Sequence, residues 1–219
     1  MLAWILRGAI VATGILHMAS GDVLYGAFCM LAVAIVTTPA ILAGTVRTVV
    51  PLALQLACLW LLVADMTFGN LLGLYQTIPW FDKVLHFGNS ALIGMTAFLA
   101  VYVAHLLGRN RQHLWVDGIA IFLLTLGLGA LWEIAEYLVD HYLGYHSQGS
   151  PGIPPLDDTM IDLMLDGIGG LVAAIFGPLY IRHSTRSQRH VAELAALLAD
   201  RPVRAERRHL ARILKKNRS

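Results

Sequence analysis

The sequence predicts an all-α, polytopic membrane protein: a six-transmembrane-helix bundle followed by a basic amphipathic helical C-terminal tail. Of its 219 residues, 57% are hydrophobic and 14% are charged, and the mean hydropathy is +0.65. This composition excludes an ordinary soluble domain. Six apolar runs approach or exceed the roughly 20 residues that a helix needs to cross a bilayer. They are 3–19, 23–42, 49–67, 84–107, 116–141 and 159–181.

The positive charges predict the orientation of these spans, because Lys and Arg favour the cytoplasmic side. If both termini are cytoplasmic, Arg7, Arg47, Arg109, Arg111 and the eleven basic residues after Tyr180 all share that side. Lys83 is then the one basic residue near the outer face. Nine acidic residues fall in the outer half: Asp65, Asp82, Glu133, Glu136, Asp140, Asp157, Asp158, Asp162 and Asp166. We therefore expect a bacterial inner (plasma) membrane protein.

Two regions are expected, a transmembrane domain at 1–181 and a cytoplasmic tail at 182–219. Apolar residues recur at helical spacing in the tail at Val191, Leu194, Leu197 and Leu198, with a second patch at Leu210, Ile213 and Leu214. A basic amphipathic helix favours contact with anionic headgroups of the inner leaflet. Nucleic-acid binding is not expected, because no aromatic side chains alternate with the arginines to stack on bases.

Three polar segments, 79–90, 128–144 and 155–170, lie at the predicted outer ends of the fourth, fifth and sixth spans. Residues three or four positions apart share a helix face. This spacing relates Asp82 to His86, Glu133 to Glu136, and Asp158 to Asp162 and Asp166. From the helical rise, one layer containing His86, Glu136 and Asp162 is expected about 6–10 Å deep. Glu133 and Asp166 follow at roughly 12–15 Å.

These groups are expected to face the bundle interior or a water-filled cavity, because an ionised side chain at the bilayer centre costs on the order of 3 kcal/mol. Lys83 can neutralise one carboxylate, most simply Asp82 or Asp158. The others need shared protons, bound cations or solvent. Two structural alternatives remain open: a hydrogen-bonded network that only fixes helix packing, and helix capping by Asp82 and Asp158.

A divalent metal is the cofactor that this donor set favours. Oxygen ligands with one imidazole suit Mg²⁺, Mn²⁺ or Ca²⁺ better than Zn²⁺ or Fe²⁺. The expected ligands are His86, Glu133, Glu136, Asp158 and Asp162. His86 or Glu133 is expected to act as general base, and Asp166 to complete the ligand set or carry a proton. The supporting residues are Asp82, Lys83, Asn89 and Asp140.

The motifs "FDKVLHF", "ALWEIAEY" and "DDTMIDLMLDGIGG" together resemble the YjdF-type family of inner-membrane proteins. The resemblance spans about 79–170 and implies a shared polar set of Asp82, His86, Glu133, Glu136, Asp158, Thr159 and Asp162. Gly88-Asn89 and Asp166 depart from the family pattern. The D-K-x-x-H opening is also similar to VanZ-like membrane proteins, which implies a role at the cell envelope.

Three function classes fit these observations. The preferred one is a metal-assisted hydrolase or transferase acting on a lipid, lipid-linked or cell-envelope substrate. The others are a proton- or cation-coupled transporter and a non-catalytic metal-binding membrane module. The loop 144–158, rich in Pro and Gly, is either a lid above the acids or a plain connector. The sequence leaves the oligomeric state open.

Overall fold

The computed structural model describes residues 1–42, 52–108, 114–183, 185–199 and 207–208. Helices dominate this part of the chain. They are α1 (Leu2–Ala19), α2 (Val23–Leu42), α3 (Leu52–Val63), α4 (Leu74–Thr77), α5 (Phe81–Leu106), α6 (Leu114–Leu143), α7 (Pro155–His183) and α8 (Thr185–Ala199). A π-helical segment, Ala64–Leu71, continues α3.

Five of these helical stretches are long and apolar enough to cross a membrane. They are Leu2–Ala19, Leu52–Leu71, Phe81–Ala104, Trp115–Leu143 and Pro155–Pro178. The prediction of an all-helical membrane protein is therefore confirmed. The apolar stretch Val23–Thr38 in α2 is shorter, so five of the six predicted spans are found within the described ranges. The fourth, fifth and sixth predicted spans correspond to α5, α6 and α7.

The distribution of side chains is inverted relative to a soluble protein. Large apolar residues such as Trp4, Trp60 and Leu123 are exposed, whereas Glu133 and Asp162 are buried. Lipid accepts apolar side chains and excludes charged ones, so this is the arrangement that a membrane solvent requires. The predicted inward orientation of the acids is observed for these two residues.

The chain forms two compact units. The first consists of Met1–Asn89 with Leu131–Leu165. Its apolar core is contributed by α1, α2 and α3 with the π-helical segment, and contains Leu6, Ile10, Cys29, Leu59, Val63 and Met66. Gly14 and Gly26 allow α1 and α2 to approach, because a Cβ on Gly26 would collide with the backbone carbonyl of Gly14. Small residues commonly serve this purpose between membrane helices.

The second unit consists of Ser90–Ala130 with Asp166–Ser219. Glycines again lie where helices meet: a Cβ on Gly94 would strike Ala173, and one on Gly170 would strike Thr125. In α8, Val191 and Leu194 are buried, so this part of the predicted amphipathic face packs within the folded chain. The predicted contact with headgroups remains a prediction for the basic side of the tail.

Several sequence predictions concern positions outside the described residues. The second apolar patch of the tail, at Leu210, Ile213 and Leu214, is one of them. Arg47, Arg109 and Arg111, on which much of the predicted orientation depends, also lie there. The orientation therefore stays a prediction.

Candidate metal centre

The first turns of α5 carry Asp82, Lys83 and His86. Ile78, which precedes Pro79, is extended with φ −123° and ψ 101°, as a residue before proline prefers. This separates the short α4 from α5 and lets a new helix begin at Phe81. Asp82 and His86 then share one face, with Oδ1 of the aspartate 3.7 Å from Nε2 of the histidine.

Two buried carboxylates come from the first turns of α7. Pro155 begins this helix, and proline is favoured at that position because its missing N–H would have no partner within the helix. Asp158 and Asp162 follow on one face with 3% and 1% of their surface exposed. The four-residue spacing seen in the sequence thus yields two adjacent buried acids.

Lys83 connects the acids of α5 and α7. Its Nζ atom donates to Oδ2 of Asp82 at 3.1 Å, to Oδ1 of Asp158 at 2.5 Å and to Oδ2 of Asp162 at 2.5 Å. The sequence predicted that Lys83 neutralises one carboxylate, whereas in the structure it forms ion pairs with three. Its side chain is 11% exposed, so the ion pairs are shielded from most of the solvent screening that weakens surface pairs.

Asp82, His86 and Asp162 form a group that could hold a metal ion. Each offers one ligand atom, and the three atoms lie within 4.8 Å of one another. Oδ1 of Asp162 is buried and accepts no hydrogen bond from the residues that the structure describes. Two carboxylate oxygens with an imidazole nitrogen suit a hard or borderline divalent cation. The donor chemistry therefore fits the predicted metal.

Glu133 and Glu136 differ in their surroundings. Oε1 of the buried Glu133 lies 3.6 Å from Nε2 of His86. Oε1 of the half-buried Glu136 instead accepts from Trp132 Nε1 at 2.7 Å. Glu133 therefore holds the place beside His86 that the depth estimate gave to Glu136. The estimate used only the rise along the helix, and the rotation of α6 about its axis selects the other glutamate.

Thr159 holds the second oxygen of Glu133. Its hydroxyl donates to Oε2 of Glu133 at 2.7 Å and accepts from Nε2 of Gln148 at 3.2 Å. The glutamate is thereby fixed between α5 and α7. The family resemblance predicted Thr159 as part of the polar set. The spacing of polar residues did not predict Gln148.

Carboxylates fasten the loop between α6 and α7. Asp140 accepts the backbone N–H groups of Ser147 and Gln148 at 2.7 and 2.9 Å. Oδ2 of Asp158 accepts the N–H of Gly149 at 3.0 Å. Asp140, predicted as a supporting residue at the rim, thus orders the loop, and Asp158, predicted as a metal ligand, already has Lys83 and Gly149 as partners.

The same loop is also tied to the turn between α1 and α2. The hydroxyl of Tyr145 donates to Oδ1 of Asp22 at 2.7 Å. This hydrogen bond to a carboxylate raises the pKa of Tyr145, with burial as a smaller cause. His17 Nδ1 lies 3.5 Å from the other oxygen of Asp22. The loop therefore has anchors on α6, on α7 and on the turn between α1 and α2.

Asp65 has a partner that the sequence did not indicate. Tyr75, in α4, donates its hydroxyl to Oδ1 of Asp65 at 2.7 Å. Burial, and then the neighbouring Asp65 carboxylate, raise the pKa of Tyr75, so the phenol stays protonated and remains a donor. Gly69 makes room for this ring, because a Cβ there would collide with it. The π-helical segment thereby brings both Asp65 and Gly69 against one tyrosine.

Asp166 belongs to the second compact unit, as does Ser90. Its Oδ1 accepts from the hydroxyl of Ser90 at 2.5 Å, and both residues are buried. Ser90 is four residues beyond His86, so the spacing that related Asp82 to His86 could have identified it. Asn89, predicted as supporting, is half-buried in α5.

Comparison with known proteins identifies a family. Residues 1–183 match the family described as "Predicted membrane protein (DUF2238)", so the chain belongs to this family. A Thermotoga maritima protein described as "Uncharacterized protein" is 35% identical over 106 residues, which are 46% of this chain and 49% of the relative. The chain thus spans about half the length of that curated relative. No solved structure matches. The narrower YjdF-type and VanZ-like resemblances stay predictions.

Proposed function

We propose that this member of the DUF2238 family is a membrane-embedded, metal-dependent hydrolase or transferase that acts on a lipid or cell-envelope substrate. The observation that carries the proposal is the convergence of Asp82, His86 and Asp162 within 4.8 Å. Ionisable residues inside a membrane bundle serve function more often than stability, because they are costly to bury. The buried Oδ1 of Asp162, which accepts no hydrogen bond within the described part of the chain, is the proposed metal ligand of this residue.

The proposed metal is held by one imidazole nitrogen and at least two carboxylate oxygens. Mn²⁺, Mg²⁺ and Ca²⁺ accept such a set, and Zn²⁺ also tolerates it. The metal would polarise a phosphoryl or carbonyl oxygen or acidify a bound water. Glu133, whose Oε1 is 3.6 Å from His86, is the proposed general base. Glu136, Asp158 and Asp140 are assigned to the surroundings of the metal rather than to its ligands.

The location of the chemistry is part of the proposal. We place the metal centre toward the outer face of a bacterial inner membrane, with six spans and both termini cytoplasmic. The short apolar stretch of α2 then serves as the sixth span. The excess of basic residues after Tyr180 supports a cytoplasmic tail near anionic headgroups.

Metal binding is the first test. Purified protein in detergent micelles, stripped with a chelator, is titrated with Mn²⁺ and monitored by electron paramagnetic resonance. We expect one bound Mn²⁺ per chain and its loss in Asp162→Asn. Asp157→Asn is the matched control, because Asp157 lies on the same helix and is exposed. Wild-type protein that binds no metal, or equal binding by Asp162→Asn, would contradict the metal centre.

The reaction is tested separately from binding. Proteoliposomes of bacterial polar lipids are supplied with Mn²⁺ and assayed for release of inorganic phosphate or fatty acid. Glu133→Gln is expected to retain Mn²⁺ and to lower release by 10²-fold or more, the scale of a lost general base. Metal-loaded wild-type protein with no release from any lipid fraction would refute a hydrolase that acts on lipids.

Proton or cation transport is a second candidate, which one feature of α7 favours. Asp162 and Asp166 are both buried on successive turns of this helix, and rows of buried acids are typical of proton pathways. A pH-sensitive dye inside the same proteoliposomes would detect proton movement across the membrane. Flux that Asp166→Asn abolishes would favour the transporter over the enzyme.

A further inference from the structure

Lys83 is surrounded in the way that a bound metal ion is. Its Nζ atom lies 3.1, 2.5 and 2.5 Å from oxygens of Asp82, Asp158 and Asp162. We infer that the Lys83 ammonium occupies the second cation position of a two-cation site, adjacent to the proposed metal, so that removing it adds one divalent cation. This inference rests on the proposed function and deepens it.

Asp82 and Asp162 each give one carboxylate oxygen to Lys83. Asp82 directs Oδ2 to Lys83 and Oδ1 to within 3.7 Å of His86 Nε2. Asp162 directs Oδ2 to Lys83, while its buried Oδ1 accepts no hydrogen bond from any described residue. Carboxylates that give one oxygen to each of two neighbouring cations are a feature of two-metal sites. In this protein one of the two cations is part of the chain.

The charges of the group agree with this assignment. Asp82, Asp158 and Asp162 carry three negative charges when ionised, and Lys83 neutralises one of them. The two that remain on these three side chains equal the charge of one divalent cation, and Glu133 beside His86 adds a further carboxylate. Side chains with an exposed fraction of 2–20% leave little solvent to screen this excess, so the geometry favours one exchangeable metal beside a fixed ammonium.

A fixed cation has a chemical consequence for the proposed enzyme. It holds Asp82 and Asp162 in place before the metal arrives, as groups behind metal ligands commonly do. It also supplies a second positive charge near the reacting oxygen at any metal concentration. Occupancy of one metal ion, rather than cooperative filling of two, is then enough to complete the site.

The test counts Mn²⁺ ions in Lys83→Ala and Lys83→Arg. We expect one ion per chain in the wild type and in Lys83→Arg. We expect two in Lys83→Ala, with the spin-coupled spectrum of neighbouring Mn²⁺ ions. Lys83→Ala is purified with Mn²⁺ present, and Lys83→Gln provides a second variant that retains hydrogen-bond donors. Folded Lys83→Ala or Lys83→Gln that binds no ion beyond the wild-type count would overturn the inference.

Failure of the inference and failure of the proposed function give different results. If the wild type binds no Mn²⁺ and Lys83→Ala binds one, Lys83 does occupy a cation position, but the metal-dependent enzyme is refuted. If the wild type and Lys83→Ala each bind one, the proposed metal centre stands and the second position is refuted.

Discussion

Thr159 orients Glu133. The threonine hydroxyl donates to Oε2 of the glutamate at 2.7 Å, which leaves Oε1 directed at His86, 3.6 Å away. A carboxylate that is held at one oxygen keeps its other oxygen at a defined position beside the proposed metal ligand, as a general base requires. Thr159 is therefore a positioning residue for the proposed base.

Replacing Thr159 with valine preserves the shape of the side chain and removes its hydrogen bonds. Oε2 of the buried Glu133 would lose the hydrogen bond from Thr159, and breaking a hydrogen bond to a buried acceptor costs about 1–3 kcal/mol. We expect Thr159→Val to lower the melting temperature in detergent while retaining Mn²⁺, since Thr159 is not among the proposed ligands. Differential scanning fluorimetry and the Mn²⁺ titration measure the two effects.

Thr159→Ser is the control for this prediction. Serine retains the hydroxyl and loses only a methyl group, so its melting temperature should stay near that of the wild type. A valine variant as stable as the wild type would contradict the contribution of the hydrogen bond to Glu133, and a serine variant less stable than the wild type would report the packing of the methyl group separately.

The sequence predicted the pairs within single helices and missed the choice between helices. Asp82 with His86, and Asp158 with Asp162, follow from four-residue spacing, because one helix fixes the direction of both side chains. Glu133 and Glu136 are three residues apart, and the rotation of α6 decides which of them meets His86. That rotation is set by packing against other helices, so the spacing of residues along α6 cannot predict it.

The loop between α6 and α7 gives a second prediction. Asp140 accepts the N–H groups of Ser147 and Gln148, so Asp140→Ala leaves both amides without their carboxylate. We expect their hydrogen exchange to accelerate by about 10-fold or more, the effect of losing roughly 1.4 kcal/mol of protection. Hydrogen exchange read by mass spectrometry over a peptide covering 144–154 measures this.

Asp157→Ala is the control for the loop, because it removes an exposed acid from the first turn of α7. Its exchange over 144–154 should match the wild type. If Asp140→Ala leaves exchange unchanged, Tyr145 and Gly149, which have their own anchors on Asp22 and Asp158, are sufficient to hold the loop.

These anchors also show why sequence could not choose between a lid and a connector. Proline and glycine at 144–158 indicate that the chain leaves both helices, and Gly144, Gly149 and Gly152 do adopt positive φ. One partner of the loop, however, is Asp22, which lies 123 residues away in the chain. Such contacts appear only once the helices have packed.

Ser90 and Asp166 give a third prediction. The hydroxyl of Ser90 donates to Asp166 at 2.5 Å, and both residues are 2% exposed. We expect Ser90→Ala to destabilise the protein by about 1–3 kcal/mol, because hydrogen bonds to charged groups are stronger than neutral ones. Thr96→Ala on the same helix removes an exposed hydroxyl that donates to the backbone of its own helix, and should change the melting temperature little. Equal melting temperatures for the two variants would contradict a stabilising role of the Ser90 hydroxyl.

Gly129 and Gly127 provide the sharpest stability comparison, since both lie in α6. A Cβ on Gly129 would collide with the Asp166 carboxyl group and lie 3.0 Å from its Cβ, whereas Gly127 has nothing within 4 Å. Asp166 cannot retreat freely, because Ser90 holds it. We expect Gly129→Ala to lose about 1–3 kcal/mol, the usual cost of overpacking. Gly127→Ala should gain up to about 1 kcal/mol from the higher helix propensity of alanine. Melting temperatures that fall equally in both variants would mean that the loss comes from α6 itself rather than from the contact with Asp166.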